Sequence, residues 1–226
     1  MDFADAVFER HPQTIMGTMA VRRLDTPKDE AGWARLKAQE LAAFKEYHSA
    51  YERKNALSQA PLSCYGTYYK QFKKTYPVLL QMESVLLKGR GVDSPCTAVE
   101  TMFLAEVKHG LLVAGHDAEK LSGGYSLRVA EGGETFTVVT GKERTLKTDD
   151  LYIADGEAIL SSVLEGQDYA SRLTGSSTAA VYCAYGLCGV TVQQMQDFFA
   201  DLAHYITTAY PQAVVSPPRI MQAVAS

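Results

Sequence analysis

One histidine stands where the sequence could do chemistry. His116 lies in VAGHDAEKL, after an apolar run and just before Asp117. An imidazole at a strand or loop edge serves as a base, as a donor that positions an ester, or as a metal ligand. Its ordinary alternative is a hydrogen-bonded structural histidine, and Asp117 before AEKL reads equally well as an N-cap. Glu106, on an apolar helical stretch, has solvation as its plain reading. His109, beside Lys108 at the end of that stretch, is placed to meet the terminal carbonyls. A second constellation is electrostatic. Lys70, Lys73, Lys74, Lys88 and Arg90 stand close together with Glu83 as the one acid among them, and Tyr65, Tyr68, Tyr69, Phe72 and Tyr76 are interleaved. Cations beside aromatics follow a phosphate backbone and stack bases. The competing reading is a solvated helix whose tyrosines cover the core. Arg22 and Arg23 form a weaker basic spot.

Other chemistries lack their motifs. The sequence has no phosphate loop, no GxSxG elbow and no HExxH helix. Cys64, Cys96, Cys183 and Cys188 contain no CxxC pair, and a zinc site needs four closely arranged ligands. Buried, inert thiols are the expectation, with no metal and no cofactor.

The body that must hold these residues is of ordinary globular composition: 46% apolar and 21% charged, with a net charge of −4. A wholly basic nucleic-acid binder is excluded, while a local basic patch is not. Apolar runs fall short of the roughly 18 residues that span a bilayer. The opening MDFADAVFERHP carries acids where a signal peptide needs a basic region. A cytoplasmic location without membrane contact is therefore expected. The length of 226 residues corresponds to roughly one and a half average domains. The expected organisation is a single domain over 1–226: a strand and helical extension over 1–64, a core over 65–186, and a helix and tail over 187–226.

From Thr26 to about Lys88 the pattern is helical. Asp29 or a neighbour caps a helix through Trp33, Leu36, Leu41, Phe44 and Tyr47, with apolar spacings of three and four, and Pro61 breaks it. YGTYYKQFKK forms a second helix that stops near Pro77, VLLQMESVLLKG a third that closes at Gly89, and Ala98–His109 a fourth. Beyond Leu111 the pattern turns strand-like: SLRVA, an EGGE turn, TFTVVT, a GKE turn, then LYIAD, AILSSVL and TAAVYCAY. A last helix over about Val192–Thr208 buries Met195, Phe198, Phe199, Leu202 and Ile206, and Pro211, Pro217 and Pro218 end regular structure. The fold class is α+β, with layered mixed or antiparallel sheets and helices on one side.

Residues 99–186, read as one string, resemble the B-three/B-four tRNA-editing domain of the phenylalanyl-tRNA synthetase beta subunit. The likeness runs through the helix ending near Glu106, then GHD, Gly123, Gly124, Arg128, Ala130, Gly133 and Glu134. It continues with the Gly141 turn, Glu143, Leu146, and IAD at Ile153–Asp155. Upstream, FKKTYPVLLQMESVLLKGRGV is similar to the start of free-standing proteins that carry this domain without a synthetase. In the synthetase the domain hydrolyses the ester between a wrong amino acid, tyrosine, and the 3′ end of tRNA. The resemblance thus implies layered sheets, a tRNA or aminoacyl-tRNA ligand and no metal. It places the editing histidine on His116.

The chain also departs from that pattern. The family's carboxylate for the tyrosine hydroxyl falls on Ala184, its paired pocket glycines on Ser161 and Ser162, and its Thr-Asn pair near Glu100 and Thr101. The resemblance therefore implies either a pocket for another amino acid or a retained fold without hydrolysis. Three functions stay open: a tRNA-binding module, with Lys70, Lys73, Lys74, Lys88 and Arg90 as RNA contacts; a free-standing hydrolase of mischarged aminoacyl-tRNA, with His116 catalytic; and a binder of a free amino-acid-like molecule. In each, Glu106, Glu100, Thr101, Ser161, Ser162 and Ala184 line the substrate pocket. DNA is not expected as a partner. The editing-type expectation requires His116 to open into a concave hollow flanked by β-structure.

Overall fold

Capping residues, prolines and glycines mark several helix ends of this chain. A computed structural model describes residues 2–187 and 189–223; Cys188 lies outside them. The chain opens with β1 (Asp2–Phe3), α1 (Asp5–Arg10) and β2 (Ile15–Arg22). In α2 (Glu30–Tyr47) the Asp29 carboxylate accepts from the Gly32 amide at 2.8 Å, and the helix buries Trp33 and Phe44. It ends at Tyr47, well before the proline expected to break it, and the short α3 (Arg53–Ala56) intervenes. Pro61 instead stands at the start of α4 (Leu62–Gln71), where a missing N–H leaves no gap in the hydrogen-bond ladder. Pro77 opens α5 (Pro77–Lys88), which Gly89 closes at φ 64°. Gly110 closes α6 (Thr97–His109), also at φ 64°. A side chain there would be strained and would meet Leu62 at 3.0 Å.

The strands follow as β3 (Leu112–Asp117), β4 (Ser126–Val129), β5 (Thr135–Thr137), β6 (Glu143–Thr145), β7 (Leu151–Ala154), β8 (Ile159–Ser162), β9 (Gly166–Gln167) and β10 (Ala179–Gly186). The chain ends with α7 (Val192–Ala209), β11 (Val214–Val215) and β12 (Arg219–Gln222). One sheet has the order β1-β4-β7-β8-β9. The second runs β11-β2-β10-β3, with β12 also on β2. Apart from the parallel β1–β4 pair, neighbours are antiparallel. The fold is α+β with mixed sheets, as expected.

Two details differ from the sequence reading. EGGE does not join a hairpin: β4 pairs with β1 and β7, and only the GKE turn joins neighbours, β5 to β6. Nor do the last prolines end regular structure, because β11 and β12 return to β2. Pro211 precedes β11, and Pro217 and Pro218 fall between β11 and β12, where no ladder N–H is needed. Helix α7 packs on α6, α2 and β2, with Met195, Phe198, Phe199, Leu202 and Ile206 all buried.

Candidate functional site

His116 sits inside a sheet. On β3 it faces Val181 of β10 on one side and bridges to Arg172 on the other. The ring is 0% exposed, so the expected opening into a hollow is not found: β10 and the 168–173 segment close over both edges of the strand. Nδ1 lies 2.7 Å from the Ser171 hydroxyl, which in turn donates to Asp168, and Asp168 is 3.5 Å from Nδ1. Since Ser171 gives its proton to Asp168, its oxygen accepts from Nδ1–H. That leaves Nε2 buried without a partner among the described residues. Burial opposes ionisation of Asp168, yet the hydrogen bonds from His116 and Ser171 outweigh it and hold the carboxyl below its ordinary range.

A crevice of about 720 Å³ adjoins this group, and Asp168 belongs to both. Its walls come from β4 (Arg128), β5 (Phe136), β7 (Tyr152), β8 (Ile159) and the turn at Asp155. Burial of Asp155 is countered by the amides of Ser122, Glu157 and Ala158, and its carboxyl is also held low. Two ionised carboxylates thus stand on the walls, and Asp168 is the one that reaches His116. At the rim Tyr169 is exposed, and the Arg172 guanidinium lies 3.6 Å from its ring centroid. Sequence reasoning did not single out Asp168, Ser171 or Tyr169. The one local signal is the Asp-x-x-Ser spacing, by which the Asp168 carboxylate accepts the Ser171 amide at 2.7 Å.

The remaining expected pocket residues do not meet His116 at this crevice. The Ser161 hydroxyl lies 2.6 Å from that of Tyr185, and Ser162 donates to Asp150 at 2.6 Å. Of β8, the crevice uses Ile159 and neither serine. Ala184 is fully buried within β10. Glu106 is not solvated: it is buried and accepts from the Val113 amide at 3.0 Å, and burial pushes its carboxyl up to about 8. Glu100 accepts from the Trp33 indole at 2.8 Å and the Ser94 amide at 3.1 Å, while Thr101 donates to the Ala98 carbonyl. His109 does not meet helix-terminal carbonyls; its Nε2 lies 2.6 Å from Asp201 of α7.

The basic-aromatic segment separates into two populations. Tyr65, Tyr68, Tyr69 and Tyr76 are buried, and the rings of Tyr65 and Tyr76 stack at 4.4 Å. Tyr65 donates to the Tyr185 carbonyl, Tyr69 to the Val163 carbonyl, and Tyr68 to Asp150 at 2.8 Å. Tyr65, Tyr68 and Tyr69 thus join α4 to both sheets, Tyr76 donates to the Gly110 carbonyl at 3.1 Å, and none of these buried rings can stack on bases. Lys70, Lys73, Lys88 and Arg90 are exposed, whereas Lys74 pairs with Glu165.

A family model described as "B3/4 domain" matches residues 63–200. Curated relatives include the phenylalanine–tRNA ligase beta subunit of Nocardia farcinica (strain IFM 10152), 35% identical over 99 residues, which is 43% of this chain and 11% of the relative. That of Mycobacterium leprae (strain TN) is 35% identical over 71 residues, 31% of this chain and 8% of the relative. The matched part is therefore about a tenth of either relative's length. Among solved structures, an N-terminal fragment of the phenylalanyl-tRNA synthetase beta-subunit from Pyrococcus horikoshii aligns with a TM-score of 0.48 and 10% identity, over 95% of this chain and 49% of that one. With more than half of its length matched in a continuous stretch, the chain belongs to the B3/4 domain family.

Proposed function

We propose that this chain is a tRNA-directed binding domain whose crevice receives an amino-acid-like group without hydrolysing its ester. The observation that carries the reading is the relation between crevice and histidine: the crevice is open, while the imidazole beside it is buried and hydrogen-bonded through Asp168 and Ser171. The negative walls at Asp155 and Asp168 suit an ammonium group and repel phosphate. Lys70, Lys73, Lys88 and Arg90 supply exposed cations for a phosphate backbone elsewhere. Membership of a family shared with tRNA ligase subunits supports tRNA as the nucleic acid.

An electrophoretic shift with unfractionated tRNA, beside a deacylation panel of mischarged aminoacyl-tRNAs, tests this. Retention should weaken steeply between about 50 and about 200 mM salt, and no ester should turn over. Absence of any shift at low salt, with a free amino acid bound instead at any salt, overturns tRNA binding in favour of a small-molecule binder. A second reading, ester hydrolysis, rests on the unpartnered Nε2 of His116, a nitrogen that a reacting water would satisfy. Turnover by the native chain that His116→Gln abolishes would replace the first reading with the second.

A further inference from the structure

The most exposed aromatic side chain among the described residues is Tyr47, at 85%. It stands in the last turn of α2, ahead of the segment matched to the family. There it edges a second cavity, of about 410 Å³, whose walls include His48, Tyr51, Asn55, Gln59 and the end of α6 at His109. The rings form a continuous group: Tyr47 meets His48 edge-on at 4.9 Å, His48 packs on Phe44 at 4.6 Å, and Tyr51 lies 6.4 Å beyond. Leu62 and Met82 give the cavity an apolar floor.

The polar groups around it fall into two kinds. Lys108 and His109 are both bound to Asp201, Lys108 also to Glu40, and Tyr51 donates to Glu83 at 2.8 Å. The side chains of Tyr47, His48 and Gln59 make no hydrogen bond among the described residues. Burial lowers the affinity of His48 for a proton, so at neutral pH the ring offers one donor and one acceptor. Gln59 offers the same pair. The C-terminal end of α6, which carries partial negative charge, also lines the cavity, and its cation Lys108 is already paired with Glu40 and Asp201. A phosphate gains nothing here, whereas a flat neutral ring with donors and acceptors along its edge meets a stacking face and complementary groups.

We infer that the cavity bounded by Tyr47, His48 and Gln59 is a nucleobase-binding site, separate from the crevice beside His116. The base comes either from a free nucleoside or from an unpaired position of an RNA strand. The site does not depend on the tRNA reading above.

The test uses the full chain, with Tyr47→Ala and Gln59→Ala variants, titrated with adenosine, guanosine, cytidine and uridine and separately with tRNA, and followed by NMR of the histidine rings. Tyr47 is a surface residue, so its replacement leaves the fold intact; circular dichroism checks this. At least one nucleoside should shift the His48 signals saturably, and Tyr47→Ala should weaken that binding about fivefold to a hundredfold. Nucleoside binding without tRNA binding supports the site with a free ligand and removes the tRNA reading alone. Loss of tRNA affinity in Tyr47→Ala places the base within RNA. If neither nucleosides nor tRNA perturb His48, or if Tyr47→Ala binds all of them as the native chain does, the inference fails. Equal binding of phenol also overturns it, because the donor and acceptor edge would then have no part.

Discussion

Trp33 donates its indole N–H to Glu100 at 2.8 Å. The bond ties α2, which precedes the matched segment, to α6 within it, and the same carboxylate takes the Ser94 amide at 3.1 Å and Lys37 at 3.4 Å. Glu100→Ala leaves the buried indole and the part-buried Ser94 amide without acceptors, at about 1–3 kcal/mol for the first and less for the second. We expect a loss of about 2–4 kcal/mol in urea unfolding followed through Trp33, the single tryptophan. A Glu100 that served only a ligand would lower affinity and leave the midpoint unchanged.

Glu106 makes stability depend on pH with an unusual sign. Burial raises its folded pKa from 4.5 to about 8, so the folded chain holds this proton more tightly than the unfolded one. The contribution is full below about pH 4.5 and is lost as pH rises through about 8. Asp150, raised by burial to about 6, acts in the same direction over a lower window. The expectation is a contribution from these two carboxyls that falls between pH 5 and 8 on the order of a few kcal/mol. It is opposed at the lower end by His11, His48 and His109, whose pKa values burial lowers. Glu106→Gln keeps an acceptor for the Val113 amide and should flatten the fall above pH 6. Thermal or urea midpoints at stepped pH check it; a difference between native and Glu106→Gln that does not change between pH 6 and 8 contradicts the assignment.

What could be read before folding was what residues close in sequence decide. Asp29, Pro77 and Gly89 mark helix ends through their own backbone and capping chemistry, and the strands of the core fell where β-branched runs lie. Strand partners were not legible. EGGE and GKE look alike as turns, but burial of β4 between β1 and β7 overrides the first. The site suffered most. Asp168 and Ser171 lie more than fifty residues from His116 and become its partners only when the loop before β10 closes over β3. Glu106 looked solvated because a lone acid on a helix is ordinarily exposed, and nothing nearby announced the Val113 amide that holds it.

The tyrosines of α4 show how one pattern serves two readings. Tyr65, Tyr68, Tyr69 and Phe72 recur at helical spacing, as in a core stripe, although lysines beside them suggested base stacking. Tyr68 both donates to Asp150 and accepts the Leu151 amide at 2.7 Å. Tyr68→Phe should therefore cost about 2–4 kcal/mol, whereas Lys70→Ala should stay within about 0.5 kcal/mol. Matched chemical denaturation of the two variants decides the point. A neutral Tyr68→Phe, together with loss of tRNA affinity in Tyr68→Ala but not in Tyr68→Phe, which keeps the ring face, would restore the stacking role.

The five basic residues proposed as RNA contacts should likewise not behave alike. Lys74 is held by Glu165 and lies 3.2 Å from the Leu164 carbonyl, so its charge is largely neutralised within the protein. Lys70, Lys73, Lys88 and Arg90 are exposed and free to displace counterions from a phosphate backbone. For each of these that touches RNA, substitution by alanine should reduce the slope of log affinity against log salt by about 0.7–0.9. Lys74→Ala should leave the slope unchanged while leaving Glu165 with only the Arg144 guanidinium, 3.8 Å away, so that the added negative charge weakens binding uniformly by repulsion. Measured slopes for the five variants separate contact from background charge. Equal slopes in all five would mean that the tRNA lies on another face of the protein.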